Sequence, residues 1–171
     1  MRKTKILAAL ICAVMALGLM AGCAPQDPKV SEQTAPAASE YKFSWKGADL
    51  TPGSDCKAAV EALGSDYKTF SGADCAYEGI NTVYDYTDVT IYSYTDKGSE
   101  NELINIIEVK GADLKTPEGV GNGDTPDKIK EVYGDPSVEN KGGLLYKSAK
   151  VELSFFVKDG TVSSMTYSLI K

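Results

Sequence analysis

The side chains that most often perform catalysis are sparse in this chain of 171 residues, which contains no histidine. Ser-His-Asp catalysis, Cys-His catalysis and histidine metal sites are therefore excluded. Pairs of carboxylates can also act as acid and base, but here they are spread along predicted loops and helix starts. No stretch has the alternating oxygen ligands of a calcium-binding loop. We expect no metal site, no cofactor and no enzymatic activity.

Two short patterns could still indicate chemistry. Ser54 and Lys57 fit the Ser-x-x-Lys pattern of penicillin-binding enzymes, but two further segments fit it as well, and no Ser-Asp-Asn or Lys-Thr-Gly motif accompanies them. The glycine-rich stretch 119–123 lies between a predicted strand and a predicted helix, where a phosphate loop would lie. It lacks the Gly-Lys-Ser/Thr ending and has acidic neighbours. We interpret the first pattern as chance and the second as a tight connection.

The charge of the chain limits its partners. There are 18 basic and 24 acidic residues, and residues 1–22 hold three of the basic and none of the acidic ones, so the remainder has a net charge of −9. An acidic body repels phosphate groups, which argues against binding of nucleic acid or anionic lipid by the folded part. Any attachment to a membrane must then come from elsewhere in the chain.

The N-terminus has the order of a secretory signal: Arg2, Lys3 and Lys5, then an apolar run over 6–20, then two small residues before Cys23. Residues 20–23 (Met-Ala-Gly-Cys) resemble the lipobox of bacterial lipoproteins, although Leu is more usual at the first position. The resemblance implies that Cys23 is acylated and becomes the first mature residue. An ordinary cleaved signal with a chance cysteine is the alternative. We expect a lipid anchor on the outer face of the cytoplasmic membrane.

Cys56 and Cys75 remain once Cys12 and Cys23 are assigned to the signal and the lipid. An even pair in an oxidising compartment favours a disulfide. Closing this loop would contribute about 3 kcal/mol in the chain-entropy estimate. A redox-active pair is the alternative, and the wide sequence separation of the two residues disfavours it.

An internal repeat organises the rest of the chain. Lys46–Leu50 and Lys110–Leu114 have the same sequence, Lys-Gly-Ala-Asp-Leu, and a Thr-Pro follows each. Residues 23–40 are rich in Pro, Ala and Ser and predict a flexible tether. We therefore predict repeat 1 over 41–110 and repeat 2 over 111–171.

Each half has signals for one short helix. Ser54 or Asp55 can cap a helix that ends before Gly64, and Asp124 or Thr125 can cap a second one with Pro126 in its first turn. The predicted strands are 41–45, 83–86, 89–94, 104–109, 144–146, 151–157 and 162–169, with tight turns at Thr87-Asp88 and Asp159-Gly160. We predict an α+β fold in which two tandem copies of a short helix plus an antiparallel β-meander form one sheet with helices on one face.

Aromatic residues are the candidate binding groups. A two-residue turn at 87–88 places Tyr84 and Tyr86 against the helix and directs the alternate residues outward. The predicted outward set is Val83, Asp85, Tyr92 and Tyr94, with Leu145, Glu152 and Phe156 as the equivalents in the second half. Exposed aromatic side chains supply rigid contact area at low entropic cost. The alternative is that a second layer covers them.

A family resemblance points to the same kind of function. Residues 121–136 are similar to the helix segment of the β-lactamase inhibitory protein superfamily and its single-copy relatives, the BamE/SmpA-type assembly lipoproteins. Residues 71–79 and 116–119 resemble a set of lipoproteins of Gram-positive gut bacteria. The resemblance implies a non-enzymatic, protein-binding surface and names no partner.

The predicted function is therefore a lipid-anchored module that binds a protein or peptide through an open sheet face. A structural or chaperone-like role in assembly of the cell envelope is the alternative. A hydrolase of cell-wall material is a third hypothesis, which the absence of histidine disfavours.

Overall fold

The computed structural model describes residues 40–73 and 78–170. Its elements are β1 Phe43–Trp45, β2 Ala48–Leu50, α1 Cys56–Leu63, β3 Lys68–Ala73, β4 Gly79–Asp85, β5 Val89–Asp96, β6 Glu102–Val109, α2 Pro126–Tyr133, β7 Val138–Asn140, β8 Gly143–Lys147, β9 Val151–Lys158 and β10 Thr161–Leu169. Of these described residues, 13% are helical and 50% are in strands.

Eight strands form one antiparallel sheet in the order β3-β4-β5-β6-β10-β9-β8-β7. The strands β6 and β10 meet at its centre, where Tyr167 lies opposite Ile107. The predicted turns at Thr87-Asp88 and Asp159-Gly160 are confirmed: β4 passes to β5 with a hydrogen bond from the Tyr86 amide to the Val89 carbonyl, and Asp159 and Gly160 have φ values of 53° and 84°. The positive φ values at Asp159 and Gly160 match the twist of the strands that they join.

The core lies on one face of this sheet. Alternate residues of neighbouring strands form a buried cross-strand row that consists of Ile91, Ile107, Tyr167, Leu153 and Tyr146. Complete burial of such side chains contributes about 1.5–3 kcal/mol each. The period-2 pattern of the strands therefore fixes which face is covered.

Both helices pack on this covered face. Asp55 caps α1 by accepting a hydrogen bond from the Ala58 amide, and Thr125 caps α2 by accepting one from the Lys128 amide. The predicted caps are confirmed: the cap is Asp55 rather than Ser54 in α1, and Thr125 rather than Asp124 in α2. At the other ends, Tyr86 donates a 3.1 Å hydrogen bond to the Gly64 carbonyl, and Tyr146 donates one of 3.1 Å to the Gly134 carbonyl. Each helix has only eight residues, so packing must stabilise it.

A separate two-stranded sheet, β1–β2, completes the covering layer. Phe43 packs on Tyr167 with ring centroids 5.8 Å apart, and Trp45 packs edge-on against Tyr86 at 5.3 Å. Just before this hairpin, the Glu40 carboxylate accepts hydrogen bonds from the Ser148 hydroxyl at 3.1 Å and the Lys150 amide at 3.0 Å. The chain therefore begins its described course beside the β8–β9 turn.

The predicted fold class is wrong. The protein is mostly β, with one eight-stranded antiparallel sheet, a two-stranded sheet and two short helices, and it is not a tandem repeat of a helix plus a β-meander. Strand β1 lies outside the large sheet and pairs only with β2. Strands β3 and β7 were not predicted, because they lie at the sheet edges and lack the alternating burial that marks a half-covered strand.

The two copies of Lys-Gly-Ala-Asp-Leu contradict the repeat directly. In the first, Lys46 and Gly47 form a left-handed turn with φ values of 48° and 82°, and the residues that follow form β2, which ends in the fully buried Leu50. In the second, residues 110–114 form no strand, and Leu114 is only half-buried. Identical residues thus serve different structures.

Candidate binding surface on the open face of the sheet

The face of the sheet opposite the helices is called the open face here. Its register brings together one row of apolar residues across four strands: Phe70 opposite Val83, Val83 opposite Tyr92, and Tyr92 opposite Ile106. Tyr94 and Leu103 lie opposite each other in the next row. These six residues, Phe70, Val83, Tyr92, Tyr94, Leu103 and Ile106, form the tyrosine patch. Phe70 is 73% exposed, which is unusual for a phenylalanine.

A second group, the phenylalanine patch, consists of Val138, Leu145 and Phe156 at the other end of the open face. Val138 lies opposite Leu145, and Val138 and Phe156 are each 49% exposed. These residues line a depression of about 290 Å³ together with Gly143. A Cβ atom at Gly143 would lie 2.0 Å from the Phe155 carbonyl oxygen. Glycine at this position therefore keeps the strand pairing intact and leaves the depression open.

The surface between the two patches is polar. Thr166 lies opposite Glu108 on one side and Ser154 on the other, and Ser168 lies opposite Glu152. Most of the charges here are paired within the open face: Lys110 with Asp85 at 2.8 Å, Lys147 with Glu152 at 2.6 Å, and Glu108 accepts a hydrogen bond of 3.2 Å from Tyr92.

Asp85 is the most heavily bonded of these charges. Hydrogen bonds from Lys110 and then Thr90 hold its pKa below the ordinary aspartate value, so Asp85 is ionised at neutral pH. The open face is therefore apolar at both ends, with charges between them that are mostly paired.

All seven residues predicted for the outward set lie on the open face. The structure gathers them into two groups: Val83, Asp85, Tyr92 and Tyr94 on β4 and β5, and Leu145, Glu152 and Phe156 on β8 and β9. Three strand spacings separate Tyr92 from Phe156, or about 14 Å across the sheet. The offset along the strands adds about 13 Å, so ideal sheet spacings put the two Cα atoms about 19 Å apart. Among the described residues, no second layer covers this face.

Sequence reasoning missed four members of the patches: Phe70, Leu103, Ile106 and Val138. Phe70 and Val138 lie on the two edge strands that were not predicted. The register shifts beside Tyr92, so Ile104 is fully buried while Ile106 points to the open face. The consecutive pair Ile106-Ile107 breaks strict alternation, and it was the available sign of a β-bulge.

The cysteines have different outcomes. Cys56 is fully buried and has no disulfide partner among the described residues. Burial, and then the nearby Glu102 carboxylate, raise the pKa of this thiol to about 12. A thiol of that pKa is not a nucleophile at neutral pH. Cys23 and Cys75 lie outside the described residues, as do the predicted signal and nearly all of the tether, so lipidation and the Cys56–Cys75 disulfide stay predictions.

The residues of the Ser-x-x-Lys pattern and of the glycine-rich loop make structural hydrogen bonds. The Ser54 hydroxyl donates to the Thr51 carbonyl and Lys57 donates to the Glu100 carbonyl. In the glycine-rich loop, the amides of Gly119, Gly121 and Gly123 donate to Thr116, Asp124 and Val162. Those three amides therefore have partners already and are not free to cradle a phosphate.

The described residues contain neither a metal-ligand cluster nor a membrane-spanning helix. Within residues 40–73 and 78–170, no cluster of three or more ligating side chains could hold a metal ion. The helices in the same part of the chain are too short to cross a membrane.

Comparisons with known proteins add no relative. The similarity to the β-lactamase inhibitory protein superfamily and to lipoproteins of Gram-positive bacteria therefore stays a prediction. No protein family, curated protein or solved structure matches this chain.

Proposed function

We propose that this protein is a non-enzymatic binding module that holds another protein against the open face of its sheet, on the outer side of a cell membrane to which Cys23 attaches it. The observation that carries the proposal is the pair of apolar patches on one uncovered face, in which Phe70, Val138 and Phe156 are exposed. Monomeric proteins rarely expose large apolar groups together, and such patches mark interaction sites.

The composition of the open face suits a protein partner. Aromatic residues such as Tyr92 and Phe156 contribute most to interfaces when they lie in a well-packed centre. Most of the charges are already paired within the face, Lys110 with Asp85 and Lys147 with Glu152. A partner that buries one of these pairs avoids the cost of isolating a single charge.

The distance between the patches limits the kind of partner. About 19 Å separates Tyr92 from Phe156, which is more than one side chain can span. A partner that contacts both patches must present a folded surface, or an extended segment of about six residues or more. The serine and threonine hydroxyls between the patches can supply hydrogen bonds to either.

The experiment removes one aromatic ring from each patch. The double variant Tyr92→Ala, Phe156→Ala should fold normally, because both side chains point away from the core. We expect it to lose about 1,000-fold in capture of a partner, since buried aromatic anchors contribute about 2 kcal/mol or more each and every 1.4 kcal/mol is a factor of ten. The partner is identified first, by cross-linking on intact cells that express the unaltered protein, and the variants are then compared by pull-down.

Ile80→Ala is the matched control for this variant. Ile80 is 53% exposed, but its register, opposite Thr95, places it on the other face of the sheet. Its loss should leave capture unchanged. Equal capture by the double variant, the control and the unaltered protein would refute the proposal. Disruption of the envelope on deletion of the gene, with no isolable complex, would favour the structural alternative.

The membrane attachment has its own test. Cys23→Ala should abolish incorporation of a labelled fatty acid and release the protein from the membrane fraction, because a thiol is the acylated group. The control is Cys12→Ala, which alters a cysteine of the predicted signal and should leave the label in place. Full labelling of the Cys23→Ala variant would show that the lipobox interpretation is wrong.

A further inference from the structure

The two edges of the eight-stranded sheet are unequal. Strand β7, at one edge, has three residues, and the side chains of Glu139 and Asn140 are engaged by the Lys130 ammonium and the Gly142 amide. Strand β3, at the other edge, has six residues, and five of them are exposed. No other strand of the described chain pairs with the outer side of β3. Proteins normally shorten or cover such an edge, because it can pair with another chain.

The register identifies the backbone groups that β3 leaves free. The amide of Tyr86 bonds to the carbonyl of Val89, so the residues of β4 that bond to β5 are those at even positions. Odd residues of β4 therefore bond to β3, and their partners there are Lys68, Phe70 and Gly72. The amides and carbonyls of Thr69, Ser71 and Ala73 point outward instead.

The side chains along this edge indicate what would bind. Phe70 ends the apolar row of the tyrosine patch and is its most exposed member at 73%. Lys68 lies on the same face of the sheet, two residues before Phe70 in β3. A strand placed beside β3 would continue the row with a side chain opposite Phe70, and its residue opposite Lys68 would be favoured if acidic.

From this edge we infer that β3 binds an extended peptide segment of a partner protein as a ninth strand. The segment carries an apolar residue opposite Phe70 and an acidic residue opposite Lys68, and its backbone pairs with Thr69 and Ser71. This is the β-augmentation mode, in which main-chain hydrogen bonds supply affinity and alternate side chains supply specificity. The inference rests on the proposed binding function and adds the partner's conformation and chemistry.

Ser71→Pro tests this directly, because proline removes an outward amide without touching the β3–β4 bonds. Proline is tolerated on an edge strand when its missing amide faces solvent. Ser71→Ala is the matched control, since it removes only the hydroxyl that lies 2.9 Å from Thr82 and keeps the amide. The probe is a synthetic peptide of alternating valine and threonine with one glutamate, titrated into isotope-labelled protein and followed by NMR.

The expected result is a set of shifted amide signals at Thr69 and Ser71, with binding about tenfold weaker for Ser71→Pro and within about twofold of normal for Ser71→Ala. A tenfold loss corresponds to about 1.4 kcal/mol, in the range of one lost hydrogen bond with its partner left unsatisfied. The same peptide N-methylated on the side that faces β3 should not bind.

Two results would overturn the inference: absence of peptide binding to the unaltered protein, or equal binding by the proline and alanine variants. Neither depends on the open-face test. If the Tyr92→Ala, Phe156→Ala variant loses its partner while Ser71→Pro keeps both that partner and the peptide, strand addition is wrong and the proposed function stands. If no variant changes capture of the partner, the proposed function itself fails.

Discussion

The segments Lys46–Leu50 and Lys110–Leu114 contain the same five residues, yet the first folds back on itself and the second does not. In the first, the left-handed pair Lys46 and Gly47 turns the chain between β1 and β2. In the second, Gly111 has no positive φ, and its amide donates to the Asp88 carbonyl at 3.0 Å.

The residue before each segment explains the difference. Trp45 precedes the first and belongs to a strand that has no neighbour in the large sheet, so the chain pairs with itself. Val109 precedes the second and pairs with Val89 on one side and Met165 on the other. Two flanking strands already hold the chain there. The neighbouring strands therefore determine the conformation of these five residues more strongly than their own sequence does.

The variant pair with the largest expected effect on stability truncates the leucine that ends each segment. Leu50 is fully buried, so Leu50→Ala should lower the free energy of unfolding by about 3 kcal/mol through lost burial and the remaining cavity. Leu114 is half-buried, and Leu114→Ala should cost about 1 kcal/mol. Urea unfolding measures both. Equal losses would mean that the two environments are alike after all.

A smaller test uses the glycines. Gly47 has a φ of 82° and open space around it, so Gly47→Ala should cost about 1 kcal/mol through backbone strain, and Gly47→Asn should cost less. A Cβ at Gly111 would lie 2.9 Å from the side chains of Asp88 and Leu114. Gly111→Ala should therefore cost about 2 kcal/mol, and Gly111→Asn more. Thermal unfolding should therefore show that alanine destabilises the protein more than asparagine at position 47, and less than asparagine at position 111.

The smallest effect concerns pH and the aspartate of the first segment. Hydrogen bonds from Lys42 and then Ser44 hold the pKa of Asp49 below its ordinary value. A depressed native pKa means that this stabilisation is complete above the unfolded value, about 3.9, and is lost as pH falls through the native one. Asp49→Asn should lower the thermal midpoint slightly at pH 7 and not at pH 2.

Lys42→Met is the companion variant, because it removes the main donor to Asp49 and should show the same convergence at low pH. A midpoint difference between Asp49→Asn and the unaltered protein that stays constant from pH 7 to pH 2 would contradict this assignment.

Local chemistry accounts for what could be predicted from the sequence. The helix caps at Asp55 and Thr125 and the turn at Asp159-Gly160 depend on a few adjacent residues, and they are confirmed. The two-residue turn after Tyr86 fixes the register of β4 and β5, so alternation from that turn placed Tyr92 correctly on the open face.

The errors arise where structure depends on distant neighbours. Strand β3 is exposed on nearly every residue, so its sequence has no buried face to reveal it. The register shift beside Tyr92 buries Ile104 and turns Ile106 to the open face, and the prediction of a strand over 104–109 included no bulge. The repeat was inferred from the identical pentapeptide, the Thr-Pro that follows it and the helix signals in each half, but the strands that flank Val109 have no counterpart beside Trp45. The candidate face was therefore predictable where residues alternate regularly along a strand, and not at the exposed edge strands or at the bulge.

The hydrogen bonds of Glu40 have a mechanical consequence. Its carboxylate is bonded to Ser148 and Lys150, so tension applied to the chain from its N-terminal side reaches the β8–β9 turn before it reaches β1. Once those two bonds break, the force acts on the β1–β2 hairpin. Its strands have only three residues each, so the hydrogen bonds between them can break one at a time. The large sheet would then bear force last, because many backbone hydrogen bonds hold each pair of its antiparallel strands together.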